Sequence, residues 1–525
     1  MQSPHHYRSS FSSSSSSSHL LLSAAAMGGS ESESKSESES ESCREVELVL
    51  IPWPVMGHMQ IVELAKLIIH HQKLALHHIG TTISVTVLLM KLPADIDTVS
   101  GSFIDSLSAA SAVPGLNFFQ LPPTDPTPEW SSRTRGFFIH SLVLSQRSNV
   151  ADFLRTRRPT ILAVVTDMLC TSMIDVAAEL GLPSYVFFTS PASFLGAMLH
   201  CQYLHDEQNQ DVAAWGTSGA DVSIPTFRNP VPVAVLPAVL LDKEQWLQRF
   251  LHYSRGLRKA RGIIINTFLE LETYALNSFT LAGAGKVPPV YPIGPIINRS
   301  FHNEGPSEAL QWLDAQSSSS VVFLCFGSQG SITEDQIREL AIGIEASGAG
   351  FLWSLRRQSA DSEAAAFPTE YGGGFEEVLP EGFLQRTEGR GRVVGWVPQM
   401  EVLSHPAVAG FVSHCGWNSV VESLWCGVAV AAWPLHAEQH MNAFQVVREL
   451  GLAVELTLTG HERGGEVVGR ERIEKGIREL MDEGSSERKK RVKEMKEKSR
   501  RSVEEGGSSY ISFQKLIQDF IAHHD

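Results

Sequence analysis

The sequence predicts an α/β protein made of two doubly wound parallel-sheet lobes, and three observations carry that expectation. Short apolar runs recur with room for a helix between them, from Val46–Ile51 to Gly262–Ile265, which is the pattern of strand–helix alternation. Residues 287–297, with four prolines and a glycine in eleven positions, interrupt the series, and a second alternation follows. Within that second series the apolar run Val408–Val412 passes through His414, Cys415 and Gly416 into an apolar-periodic stretch, Trp417–Trp425: a strand, a tight turn and a helix start.

Taken in order, residues 1–45 are a leader with a serine run, Ser12–Ser18, and a Ser/Glu-rich tract from Ser30 to Ser42. Such a segment buries too little apolar surface to offset its ordering entropy, so it is expected to be disordered. Its acid-poor start faintly resembles a transit peptide, and the HLLLSAAA patch is short for a secretory core. A dispensable extension, with Met27 as an alternative start, is the plainer reading.

The first lobe is expected over 46–286, with strands at Val46–Ile51, Ile83–Leu89, Leu116–Gln120, Ile161–Val165, Ser184–Phe188 and Gly262–Ile265. NTFLELE (266–272) reads as the start of a helix, and 287–300 as the linker. The second lobe, 301–505, begins with a strand in 320–331 and a helix from Thr333, and continues with strands at Phe351–Leu355, Arg392–Gly395 and Val408–Val412. The acidic, glycine-containing insert Gln358–Glu377 reads as a solvated loop, 441–451 as a helix with a glycine stop, and about 486–503 as a mixed-charge helix with a solvated face. Residues 506–525 carry Tyr510, Phe513, Leu516, Ile517 and Phe520 at amphipathic spacing.

Composition narrows the function. With 58 acidic against 43 basic residues the formal net charge is −15, which argues against a nucleic-acid partner and provides no basic face for anionic lipid. No run approaches the ~18 apolar residues of a membrane span. The six cysteines show neither CxxC nor Cys/His ligand spacing, so they read as buried thiols of a reducing compartment, and a cytoplasmic monomer without a metal site is expected.

Candidate chemistry lies at strand ends. A helix beginning at Gly416 to Ser419 aims unpaired amides and a positive dipole end at what precedes it, and a phosphate is the natural guest. His414, Asn418 and Ser419 can add side-chain donors, Glu422 is an acceptor suited to a sugar hydroxyl, and Trp396 offers a flat face to a base. Glu438 and Gln439 supply a carboxylate and an amide able to grip several hydroxyls. In the first lobe, His58 follows the first strand in PWPVMGH and Asp167 ends the Ile161 strand, both at the sheet edge where ligands bind in open α/β folds. A carboxylate bonded to one imidazole nitrogen would fix the tautomer and steady the imidazolium formed at the other. On the residues alone, a lone histidine at such a turn is more often a surface or capping residue, and Asp167 could be a helix N-cap.

The stretch WVPQMEVLSHPAVAGFVSHCGWNSVVESLWCGVAVAAWPLHAEQ, 396–439, resembles the signature box of the plant secondary-product glycosyltransferases, the family-1 UDP-sugar enzymes. WVPQ, HPAV, HCGWNS, ES, GV, WP and EQ all stand at that family's spacing. The resemblance implies the GT-B fold, two Rossmann-like domains facing a central cleft with the chain's end packed back on the first. It implies that His58 is the catalytic base and Asp167 its partner. For the UDP-sugar it implies Trp396 at the uracil, Gln399 and Glu422 at the ribose, Ser328, His414, Gly416, Asn418 and Ser419 at the diphosphate, and Trp417, Glu438 and Gln439 at the hexose, with Val397 also among the UDP-sugar-binding residues. Glutamine at the closing position points to glucose, where histidine would point to galactose. Val397 and His436 stand where alanine and an aromatic residue are common, and neither change removes a polar contact.

The expected activity is therefore an inverting O-glucosyltransferase that moves glucose from UDP-glucose, a co-substrate, to a hydroxyl of a small lipophilic acceptor such as a flavonoid, another phenolic or a terpenoid, without metal or cofactor. Phe118, Phe188 and Phe194 are candidates to stack on the acceptor, with core packing as the alternative. Another UDP-sugar as donor, a non-catalytic nucleotide-sugar binder and a glycoside hydrolase are the competing readings. The last would need two carboxylates flanking the bond about 5–10 Å apart.

Overall fold

The computed structural model of the chain describes residues 44–75, 81–92, 104, 107, 113–124, 135–244, 246–279, 286–297, 308–328, 330–357, 369, 371–459, 467–482 and 487–522. The leader up to residue 43 and most of the insert at 358–370 lie outside these residues.

The first lobe is a seven-stranded sheet of β1 (Arg44–Ile51), β2 (Thr81–Leu89), β3 (Leu116–Gln120), β4 (Ile161–Asp167), β5 (Ser184–Phe188), β6 (Gly262–Ile265) and β7 (Val290–Pro292). Its strand order is β3-β2-β1-β4-β5-β6-β7, every neighbour parallel. The second lobe is a six-stranded parallel sheet of β8 (Val321–Cys325), β9 (Gly350–Ser354), β10 (Gly391–Val394), β11 (Val408–Ser413), β12 (Ala429–Ala432) and β13 (Ala453–Glu455), ordered β10-β9-β8-β11-β12-β13. Strands such as ILAVVTD and VVFLC are buried along their whole length, because helices cover both faces of a parallel sheet.

Each sheet reverses its winding once, between β1 and β4 in the first lobe and between β8 and β11 in the second. Adjacent strands there send their next turns in opposite directions, which opens a crevice at the carboxyl edge. Ile51 pairs with Thr166 and Ser413 with Cys325, so the turns leaving each pair emerge side by side.

The helix Ser508–Ile521 closes the chain against the first lobe. Phe513, Leu516, Ile517 and Phe520 share one core with Leu48 and Leu50 of β1 and with Leu64 and Ile68 of the helix Gln60–Ala75. Burying such a side chain is worth roughly 1.5–3 kcal/mol. The polar anchor is Asp519, which accepts from Tyr185 Oη at 2.7 Å, Tyr291 Oη at 3.1 Å and Arg261 Nη2 at 3.1 Å.

Three local expectations change. The proline-rich segment expected as linker carries β7, since Val290–Pro292 sits on the sheet edge, where a missing N–H leaves no inner ladder bond unmade. The helix expected from Asn266 starts only at Thr273, because Asn266 accepts from the amide of Ile296 and Glu272 accepts from the amides of Ala192 and Ser193. The helix at 441–451 is Gln439–Phe444, continued by a π-helical turn, Gln445–Glu449.

Candidate active site

His58 closes a single 3₁₀ turn, Met56–His58, between β1 and the helix Gln60–Ala75, and its amide donates to Val55 O at 2.9 Å. Asp167 is the last residue of the neighbouring β4, so the winding reversal places the two side by side. Nδ1 of His58 lies 2.8 Å from Asp167 Oδ2, and the other carboxylate oxygen accepts from Leu169 N at 2.8 Å. Asp167 is fully buried while His58 stays part-exposed. Burial is the largest influence on the imidazole and acts downward, but the charge and hydrogen bond of Asp167, with the charge of Glu438, outweigh it and raise the pKa above its ordinary 6.5.

In the second lobe, β8 and β11 run into the turns Phe326–Ser328 and His414–Gly416. Gly327 has φ +79, and a Cβ there would stand 2.6 Å from His414 Nε2, so glycine is required for the imidazole to pack against the turn. Cys415 is held at φ +60 by bonds on both sides: its N donates to Ser413 Oγ at 3.2 Å and its O accepts from Asn442 Nδ2 at 3.0 Å. Non-glycine residues seldom adopt that region, and such strain concentrates at functional turns. Burial, followed by the charge of His436, lowers the pKa of His414 to about 3, so the ring is neutral, and its Nδ1 is buried with no hydrogen-bond partner.

The helix Trp417–Cys426 follows at once, with Gly416 as N-cap and no side chain capping it. Its first amides and dipole therefore face the turn. Behind them, Gln399 Nε2 donates to Ser419 Oγ at 2.9 Å and to Glu422 Oε2 at 2.7 Å. Burial raises the carboxyl of Glu422 to about 7, against the opposing pull of the Gln399 bond. Trp396 is 44% exposed, whereas Val397 is buried in the lobe's core. Ser328 is half-buried, and its carbonyl accepts from Arg356 Nη1 at 3.0 Å.

Glu438 and Gln439 stand at the start of the helix Gln439–Phe444. Gln439 Oε1 accepts from Leu435 N at 3.0 Å and His436 N at 3.1 Å, which leaves its NH₂ as the end available to a ligand. Trp417 is among the residues expected to contact the hexose. Its indole is buried and donates to Asn266 O of the first lobe at 2.8 Å.

The lobes touch around these groups. Asn418 Nδ2 donates to Gly57 O at 3.2 Å, Asn266 Nδ2 to Asn418 Oδ1 at 3.4 Å, and Ser190 Oγ to Glu438 Oε1 at 3.0 Å. On the flank, Gln445 Nε2 donates to Glu272 Oε1 at 2.7 Å and Ser193 Oγ donates to Gln445 Oε1 at 2.8 Å. Asn266, Ser190 and Glu272 are not among the residues that sequence pattern singles out. A polar residue just after an apolar strand at the ligand edge is the available signal for the first two.

Of the acceptor candidates, Phe188 is 0% exposed and Phe194 is also buried; both belong to the core beside β5, with ring centroids 6.3 Å apart. Core packing is the role this placement gives them. Phe118, on β3, is half-buried against the first lobe's core.

The arrangement can hold a diphosphate on a helix N-terminus in one lobe and bring an imidazole–carboxylate pair to it from the other. Known proteins resemble this chain along most of its length. The family model described as UDP-glucoronosyl and UDP-glucosyl transferase matches residues 288–462. The chain is 45% identical over 489 residues to a UDP-glucose flavonoid 3-O-glucosyltransferase 6 from Fragaria ananassa, covering 90% of this chain and 98% of that one. Among solved structures, it is similar to Medicago truncatula UGT71G1 complexed with UDP-glucose, with TM-score 0.79, 37% identity and coverage of 92% and 99%. It is also similar to Phytolacca americana UGT2 complexed with UDP-2fluoro-glucose and pterostilbene, with TM-score 0.75, 30% identity and coverage of 90% and 99%.

Proposed function

The chain belongs to the plant UDP-glycosyltransferases, GT-B enzymes of family 1, and from that premise we propose that it is an inverting O-glucosyltransferase acting from UDP-glucose on a hydroxyl of a small phenolic such as a flavonoid. The observation that carries this reading is the 2.8 Å pairing of His58 with Asp167 at one sheet's winding reversal, next to the contact of Gly57 with Asn418 from the other.

Asp167 occupies Nδ1 of His58, so Nε2 is the proton acceptor. The acceptor O–H bond breaks toward Nε2 as its oxygen bonds to C1 of glucose, and the bond from C1 to the diphosphate oxygen breaks with its electron pair leaving on UDP. Attack from the face opposite the leaving group turns an α-linked donor into a β-glucoside. General-base assistance of this kind is typically worth ~10²–10⁴ in rate. Charge on the departing diphosphate is met by the amides at the start of Trp417–Cys426 and by a neutral His414 able to donate a ring N–H. Trp396 stacks on the uracil, Glu422 and Gln399 take the ribose, and Glu438 and the Gln439 NH₂ take the hexose.

Incubation with UDP-glucose and a panel of phenols separates this reading from its rivals. A transferase releases UDP only when acceptor is present and yields a glucoside of matching mass. A hydrolase cleaves the finished glucoside in water, and a binder does neither.

A further inference from the structure

One hydroxyl in the cleft plays no part in the chemistry above. Ser190 lies between β5 and the helix Ala192–Asp206, is 4% exposed, and donates from Oγ to Glu438 Oε1 at 3.0 Å, although the two residues are 248 positions apart and on different lobes. The helix that follows does not use it as a cap. Its first amides, Ala192 N and Ser193 N, donate to Glu272 at 2.8 and 3.0 Å.

On the other side of the contact, the backbone under Glu438 is already fixed. Gln439 Oε1 holds the amides of Leu435 and His436, and Ala437 is kept at φ +55. What remains to be set is the Glu438 side chain, and a ligand group held in place before binding avoids the entropy loss of ordering it on binding.

We propose that Ser190 is a positioning residue for the donor sugar: its hydroxyl, supplied by the first lobe, holds the Glu438 carboxylate where the hexose binds, so that the sugar half of the donor site is complete only when the lobes are together. This rests on the UDP-glucose reading above. UDP has no hexose and does not sense Ser190; UDP-glucose does.

Calorimetric titration without acceptor tests this. Ser190→Ala should weaken UDP-glucose binding about ten-fold, the loss expected for one hydrogen bond to a charged group, and leave UDP binding unchanged. Glu438→Ala should lose the same preference for UDP-glucose over UDP, and the double variant should lose no more than Glu438→Ala alone, because the two residues act as one unit. Equal weakening of both ligands, no weakening of either, or additive losses in the double variant would overturn the proposal. A wild-type protein that binds neither ligand would instead overturn the donor reading, and this inference with it.

Discussion

Asn418, on the first turn of the helix that faces the proposed diphosphate site, donates its side-chain amide to the carbonyl of Gly57 at 3.2 Å, one residue before His58. The proposed donor site thus bonds directly to the residue that precedes the proposed base, one of several hydrogen bonds between the lobes, and a small change of lobe angle would separate the two. Asn418→Ala should lower kcat more than it weakens UDP binding. Steady-state kinetics beside UDP titration will show whether the two effects separate, and equal losses in both would mean that Asn418 acts on the donor alone.

His58→Ala should lower kcat by roughly 10²–10⁴ while UDP still binds. The working form is the neutral imidazole, so activity should rise with pH through a midpoint above 6.5, the direction in which Asp167 and Glu438 move this residue. Asp167→Asn removes the largest upward influence, so the surviving activity should rise through a lower midpoint. A pH–rate profile with an unmoved midpoint would separate Asp167 from the titration of His58.

Glu422 makes a test in stability. Its folded-state pKa of about 7 lies above the ordinary 4.5, so the native chain holds this proton more tightly than the unfolded chain does. Stability should therefore fall as pH rises from about 4.5 to about 7 and stay lowered above that. Glu422→Gln removes the buried charge, so its melting temperature should exceed that of wild type at pH 8 and match it near pH 4, while UDP binding weakens at both. Parallel melting curves across this range would contradict the raised value.

Asp519 takes three donors that tie the last helix to the first sheet. Asp519→Ala leaves two phenols and a guanidinium without that acceptor, with an expected loss of roughly 2–3 kcal/mol. Thermal melting should register it as a lowered transition. UDP affinity well below the transition should not change, since the contact lies on the first lobe.

Gln439→His should shift donor use from glucose toward galactose. The substitution also removes the oxygen that holds Leu435 N and His436 N, so weaker binding of both sugars is expected with the altered ratio. Competition between the two UDP-sugars measures that ratio, and an unchanged one would show that this amide does not decide the sugar.

Much of this protein is legible because its information is local. The apolar runs that form β1, β4, β8 and β11 announce themselves by composition, and His58, Asp167 and His414 stand at or just past the carboxyl ends of three of them, the edge that an open α/β sheet turns toward ligand. What stays hidden depends on residues far apart in the chain. Ser190 meets Glu438 only once both lobes are folded, and Trp417, an aromatic in the stretch expected to hold the sugar donor, spends its indole on Asn266. Phe188 and Phe194 show the same limit from the other side, since an aromatic at a strand end reads alike whether it lines a pocket or fills the core behind it. The strand Val290–Pro292 is masked by prolines that only its edge position makes tolerable.

In the proposed reaction an imidazole from one lobe activates a hydroxyl against C1 of a sugar held by the other. Proton NMR of the product formed from UDP-glucose and a flavonol, with wild type and His58→Ala side by side, reads both the anomer formed and the need for the imidazole. A β-glucoside, one UDP released for each glucoside formed, and both products lowered by roughly 10²–10⁴ in the variant are expected. An α-glucoside, or wild-type yield from His58→Ala, would contradict the proposed reaction.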